Sequence, residues 1–347
     1  MAAAPASRLA LYLASAYLLL AVYGSLYPFS GWSDSGAPLT AFITAGWPRY
    51  TTAFDIALNV AAYLPMGFLW VAALRPKLGR WLAPPAAFAI GVVLSLCLET
   101  LQNYLPSRVP SNLDWAGNTV GTLFGVIGGS LWGAALLDGG RLHALRHRVF
   151  VPGTMADKGL LLILLWLLTQ LNPETLLFGN GDLRSLLDLD ALDYDASNFA
   201  RIEAMIVGAN TFAVALLISL LARRRRPVLV VLGAALVAKS FAFELIMNGH
   251  DGLAWATEGS LTGLGAGTGL WLLASVLPAR WRQVLATLAL LFAAIVVNLA
   301  PENPYLENTF QVWNPGQFLN FHGLTRLASN LWPFLALPWL ILLRGEP

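Results

Sequence analysis

The sequence predicts an all-α, polytopic transmembrane bundle of about ten spans. Three observations carry that reading. Of the 347 residues, 57% are apolar and 12% are charged, about half the ~25% charged share of a soluble domain. Ten segments approach the ~20 mostly apolar residues that a membrane crossing needs. The basic residues also alternate between loops.

The ten segments are 9–28, 55–74, 82–105, 114–137, 159–178, 202–222, 228–247, 255–277, 283–300 and 324–343. The first run follows Arg8, is too long for a signal h-region and has no clean cleavage site, so it reads as a retained span. The fifth is interrupted by Asn172, Pro173 and Glu174. With the N-terminus inside, Arg8, Arg75, Lys77, Arg80, Arg141, Arg146, Arg148, Lys158, Arg223 to Arg226, Arg280, Arg282 and Arg344 face the cytoplasm. Arg49, Arg108, Arg184, Arg201 and Arg326 face outward, and Lys239 falls within a span. Fifteen of 21 basic residues on one side, alternating loop by loop, follow the positive-inside rule. Both termini are then cytoplasmic. Asp182, Asp188, Asp190, Asp193 and Asp195 form an outward acidic loop, and Trp32, Trp47, Trp81, Trp281 and Trp313 read as interfacial anchors. The single cysteine, Cys97, reads as a small buried hydrophobe.

The chain divides into a four-helix membrane domain, 1–150, and a six-helix region, 151–347. Internal similarity suggests degenerate parallel repeats: a second four-helix unit over about 155–280 and a truncated third over about 281–347. Gly117, Gly121 and Gly125 recur as Gly259, Gly263 and Gly267. Leu-x-Pro ends spans 1, 5 and 9 at Pro28, Pro173 and Pro301. Glu244 stands where the first unit has Glu99, and a Lys239–Glu244 pair reads as structural.

Charged groups at a bilayer centre cost about 2.5–3.5 kcal/mol on insertion scales, so they face the bundle interior. Asp55 and Asn59 lie one helical turn apart, and Asp114 and Asn118 repeat that spacing. Glu99 and Gln102 form an i,i+3 pair, and Arg108 sits in the short loop between the third and fourth segments. All seven fall toward the outer helix ends. Asp55, Glu99 and Asp114 are the candidate catalytic groups, because clustered carboxylates suit acid–base work. Asn59, Gln102, Arg108 and Asn118 are candidate binding groups, with the Arg108 fork matched to phosphate or carboxylate. His322 and Arg326 stand where the first unit has Asp55 and Asn59, and would add positive charge to a shared cavity. The competing reading is that these groups satisfy one another and lock the bundle.

The pattern Asp55-x3-Asn59-x5-Pro65-x-Gly67, then Glu99-x2-Gln102 with Pro106 and Arg108, then Asp114-x3-Asn118-x2-Gly121-x3-Gly125 resembles the VanZ-like family of bacterial membrane proteins over residues 9–137. The resemblance implies a place in the bacterial cytoplasmic (inner) membrane and a role at the cell envelope. The family's namesake is associated with teicoplanin resistance, and an exopolysaccharide-related role is an equal expectation. About 200 further residues depart from the minimal family pattern.

Three functions stay open. The chain binds or processes an anionic lipid-linked glycan or lipid head group at the outer leaflet, or it is a transporter or flippase, or it is a non-catalytic scaffold. Neutral substitutions at Asp55, Glu99 and Asp114 would select the scaffold. Membrane lipids are the expected partners, without nucleic acid. No metal or cofactor is expected. No nucleotide loop, serine elbow or HExxH motif occurs, which argues against ATP-driven work by this chain alone.

Overall fold

A computed structural model describes residues 8–34, 36, 38–47, 52–138, 140–187, 196–246, 251–305 and 319–343. Arg49, Asp188, Asp190, Asp193, Asp195, Trp313 and Arg344 lie outside the described residues. The described residues are helical with irregular connections and isolated β-bridges, among them one between Phe150 and Ala222. They form two compact units, Met1–Arg148 and Val149–Pro347.

In the first unit, α1 (Leu9–Leu26) and the short α2 (Ala41–Thr44) precede α3 (Ala53–Gln102). Drawn straight, the 50 residues of α3 would run about 75 Å, more than twice the ~30 Å hydrocarbon core. Instead the chain reverses at Gly79, whose φ of 74° and ψ of −177° lie outside the helix. That conformation strains any residue with a β-carbon and comes freely to glycine. The two arms fold back on each other. Val71 and Ala87, eight residues either side of Gly79, share one apolar cluster with Val126.

Helix α4 (Asn112–Gly128), which continues as a π-helix over Gly129–Asp138, packs on that hairpin. Small residues make the approach possible. A β-carbon on Gly121 would strike the Val60 carbonyl, one on Gly125 the Leu64 carbonyl, and one on Gly67 the Thr122 carbonyl. The backbones are therefore in direct contact, the small-residue packing that substitutes for hydrophobic drive in lipid. Helix α5 (Arg141–Val149) follows. Cys97 is exposed, correcting the expectation of a buried thiol: it lies on the face of α3 that no described neighbour covers.

The second unit holds α6 (Thr154–Thr169), the short α7 (Arg184–Leu187), α8 (Ala196–Leu221), α9 (Arg226–Ile246), α10 (Glu258–Ala274), α11 (Ala279–Leu299) and α12 (Leu319–Leu342). Trp166, Trp271 and Trp332 are fully buried in its core. Trp271 donates Nε1–H to Ser219 Oγ at 2.7 Å, and Trp332 donates to the Leu162 carbonyl at 2.8 Å.

The predicted fifth span is helical only to Thr169. Beyond it the chain runs irregularly, with Asn172, Leu177, Phe178 and Asn180 all buried. Buried irregular backbone needs partners for its carbonyls, and Lys239 supplies them. Its ammonium donates to the Asn172 and Thr175 carbonyls, each at 2.7 Å, and to Thr175 Oγ1 at 3.2 Å. This replaces the expected Lys239–Glu244 pair, since Glu244 is exposed. A cation at the carbonyl end of α6 also matches the helix dipole.

Among the described residues, five helical stretches are long and apolar enough to cross a membrane. They are Leu9–Leu26, Ala53–Gln102, Asn198–Leu221, Arg226–Glu244 and Ala279–Leu299. Helices also cover the predicted fourth and eighth spans, over Asn112–Gly128 and Glu258–Ala274, but each has 17 residues.

Candidate functional site

The reversal at Gly79 brings the N-terminal end of α3 back beside its C-terminal end, and both meet the N-terminus of α4. Four of the polar groups that the sequence singles out in the first unit, Asn59, Glu99, Asp114 and Asn118, collect there. Asn59 donates Nδ2–H to Asp114 Oδ1 at 2.8 Å, joining the first arm of α3 to α4. Asn118 donates Nδ2–H to Ser95 Oγ at 3.0 Å, joining α4 to the second arm. Glu99, 4% exposed, accepts the backbone N–H of Ser111 at 3.0 Å. Ser111 is itself the N-cap of α4, its hydroxyl accepting from the amides of Leu113 and Asp114. A carboxylate at that helix start lies at the positive end of the dipole. Glu99 and Asp114 are close enough for their charges to interact.

Not every candidate faces this centre. The carboxylate of Asp55 accepts from the backbone N–H of Thr52 at 2.9 Å and from its hydroxyl at 2.7 Å, while Thr52 Oγ1 accepts the Asp55 amide. That reciprocal capping box starts α3, although Asp55 still adds charge near Asp114. Gln102 donates to the Ser25 carbonyl at 3.1 Å, tying α3 to α1. Arg108 points two guanidinium N–H groups at the Tyr27 carbonyl, from Nε at 3.1 Å and from Nη2. Partial burial there lowers the pKa of Arg108 from its ordinary value, and a guanidinium stays charged regardless.

His322 and Arg326 belong to the second unit. His322 Nε2 lies 3.0 Å from Glu174 Oε1, and Arg326 is exposed.

Four residues join the centre that sequence reasoning passed over. Ser95 and Ser111 hold Asn118 and Glu99 as described. Tyr63, 5% exposed, lies with its hydroxyl beside Ser95 and Glu99. Tyr17 donates its hydroxyl to the Ala62 carbonyl at 2.6 Å and lies near Tyr63. The Asn118 Oδ1 is buried without a partner among the described residues. A buried polar atom left unmet costs about 1–3 kcal/mol. Signals existed for two of the four. Ser111 stands three residues before Asp114, as an N-cap does, and Ser95 stands one helical turn before Glu99.

The centre thus combines two interacting carboxylates, two amides and four hydroxyl-bearing side chains between packed helices. Such a set can accept hydrogen bonds from ligand hydroxyls, and a carboxylate in it can exchange a proton with a bound group.

No curated protein and no solved structure matches the chain. The VanZ/LLP1 family model matches residues 12–133, and the N-terminal region of this protein is VanZ-like.

Proposed function

We propose that this is a bacterial cell-envelope protein of the cytoplasmic membrane, whose VanZ-like unit binds a lipid-linked glycan or lipid head group at the outer leaflet. Glu99 and Asp114 are the acid–base candidates, and Asn59, Asn118 and the Tyr63 hydroxyl are the binding groups. The observation that supports this most is the pair of interacting carboxylates, Glu99 and Asp114, that share one buried centre with Asn59, Asn118 and the Tyr63 hydroxyl. Asp55 acts here as the cap of α3 and as a nearby charge. Arg108 anchors the loop to α1 through the Tyr27 carbonyl, and its planar fork has the shape that suits an anionic group. His322 and Arg326 are proposed to act within the second unit. Teicoplanin resistance and exopolysaccharide biology are two settings in which such binding would matter.

Lipids retained by the purified protein test this reading. Mass spectrometry should find a glycan-bearing or anionic head-group lipid enriched over its share of the host membrane. Retained lipid that mirrors the bulk membrane contradicts it.

Transport is the second reading. Its support is the break after α6, where irregular buried backbone and a buried Lys239 resemble the discontinuous helices of transporters.

The ten-span topology belongs to the same proposal. Reporter fusions at Arg146, Arg224 and Arg280 should read cytoplasmic, and fusions at Asp182 and Glu302 should read external. One reversed fusion removes the ten-span arrangement.

A further inference from the structure

The polar centre of the first unit is short of hydrogen-bond donors. Asn59 spends an amide N–H on Asp114 Oδ1, and Asn118 spends one on Ser95 Oγ. The Ser111 amide meets only the Oε2 oxygen of Glu99. Among the described residues, Glu99 Oε1 and Asp114 Oδ2 accept no hydrogen bond. Asn118 Oδ1 is a third acceptor left over, on a side chain that is 6% exposed. Asn118 stands one turn after Asp114 on α4 and bonds Ser95, one turn before Glu99 on α3. Its carboxamide therefore lies between the helices that carry the two carboxylates.

The same centre is short of positive charge. Glu99 and Asp114 interact, and Asp55 adds charge near Asp114. No Lys, Arg or His among the described residues forms an ion pair with Glu99 or Asp114. Arg108, the nearest base in sequence, donates to the Tyr27 carbonyl at 3.1 Å. Like charges brought together between packed helices are costly until a cation or a shared proton relieves them. The buried Glu203 of the second unit is the contrast. The hydroxyls of Thr257 and Tyr305 meet both of its oxygens, so it asks for nothing further. Asn59 and Asp114 are half-buried while Glu99 is 4% exposed, which leaves the Asp114 side as the way in.

We propose that the head-group site of the first unit takes a primary ammonium, held by Glu99, Asp114 and the Asn118 side-chain oxygen. The inference rests on the head-group reading of that unit and adds the class of group that enters the centre. A primary ammonium brings three N–H donors and one positive charge to three unmet acceptors and an excess of negative charge. A hydroxyl brings one donor and no charge. A phosphate diester brings negative charge and no donor. A quaternary ammonium carries the positive charge but has no N–H. Two kinds of head group present a primary ammonium, an aminosugar and an ethanolamine phosphate.

The test uses the full chain in phosphatidylglycerol nanodiscs, with bound lipid counted by native mass spectrometry. EDTA is present, so no divalent ion bridges a phosphate to the carboxylates. Two matched pairs of lipids compete. One pair is 2-amino-2-deoxyglucosyl-diacylglycerol against glucosyl-diacylglycerol, and the other is phosphatidylethanolamine against phosphatidylcholine. In at least one pair the wild type should retain the ammonium lipid about tenfold over its partner, the worth of roughly one charge-assisted hydrogen bond. The pair that shows this names the source of the ammonium. Glu99→Gln combined with Asp114→Asn keeps the acceptor oxygens and should bring the ratio close to one. A preference that survives in the double variant overturns the placement at these carboxylates. Equal or reversed retention within both pairs, above each lipid's share of the bilayer, overturns the ammonium and leaves the head-group reading standing. It would mean that a shared proton relieves the two carboxylates. Retention of no probe lipid above its share overturns both.

Discussion

Gly125→Ala destabilises the first unit more than any other single methyl group added to it. The new β-carbon lands on the Leu64 carbonyl, with the Phe68 amide nitrogen at 2.9 Å and the Leu64 carbonyl carbon at 3.0 Å. All three are backbone atoms, so no side chain can swing aside, and α4 must move off the α3 hairpin. Overpacking of this kind costs about 1–3 kcal/mol in a well-packed core, and the rigid backbone on both sides places the cost at the upper end. Gly121→Ala meets the Val60 carbonyl and should behave alike. Gly24 and Gly265 supply the contrast, since a β-carbon there meets nothing within 4 Å. Their alanine variants should be neutral or slightly stabilising, because alanine is the better helix former by about 1 kcal/mol. Thermal unfolding in detergent measures all four. An unchanged transition for Gly125→Ala would mean that the helices do not touch through their backbones.

Neutralising Glu99 and Asp114 together removes head-group binding while the fold survives. Glu99→Gln keeps an oxygen to accept the Ser111 amide, and Asp114→Asn keeps one to accept from Asn59. Both changes leave the geometry and take away the charge. A hydrogen bond to a charged group contributes about 1.5–3 kcal/mol, so loss of one such bond weakens binding by roughly tenfold to a hundredfold. The double variant should lose more than either single one, because the two carboxylates interact. Lipid titration against the purified variants checks this, and unaltered affinity in the double variant excludes the two carboxylates from the site.

Much of this architecture was legible in the sequence because lipid imposes simple rules. A crossing needs a long apolar run, and glycines at i,i+4 spacing mark where backbones meet. The Arg75–Arg80 interval read as a connection between spans, and the reversal falls there, at Gly79. Two features resisted. The Asp55 and Asn59 spacing suggested one shared face, yet Asp55 turns to Thr52, because a capping residue three positions earlier competes for its carboxylate. Lys239 pointed to a carboxylate five residues on, yet its partners are carbonyls near the end of α6, 64 to 67 residues away in the chain. Backbone acceptors carry no sequence signal, so such partners emerge only from the fold. The hydroxyls of Tyr17 and Tyr63 were silent for a related reason: a lone tyrosine in an apolar helix reads as bulk.

Whether the polar centre of the first unit is a ligand site or a bundle lock is decided by one variant measured two ways. Glu99→Gln is purified, and its melting temperature and its retained head-group lipid are compared with the wild type. A buried carboxylate kept for binding costs the fold stability. The variant should therefore melt at the same temperature or higher and retain less lipid, by at least tenfold. A lowered melting temperature with undiminished lipid would show instead that Glu99 serves only to fasten α3 to the start of α4.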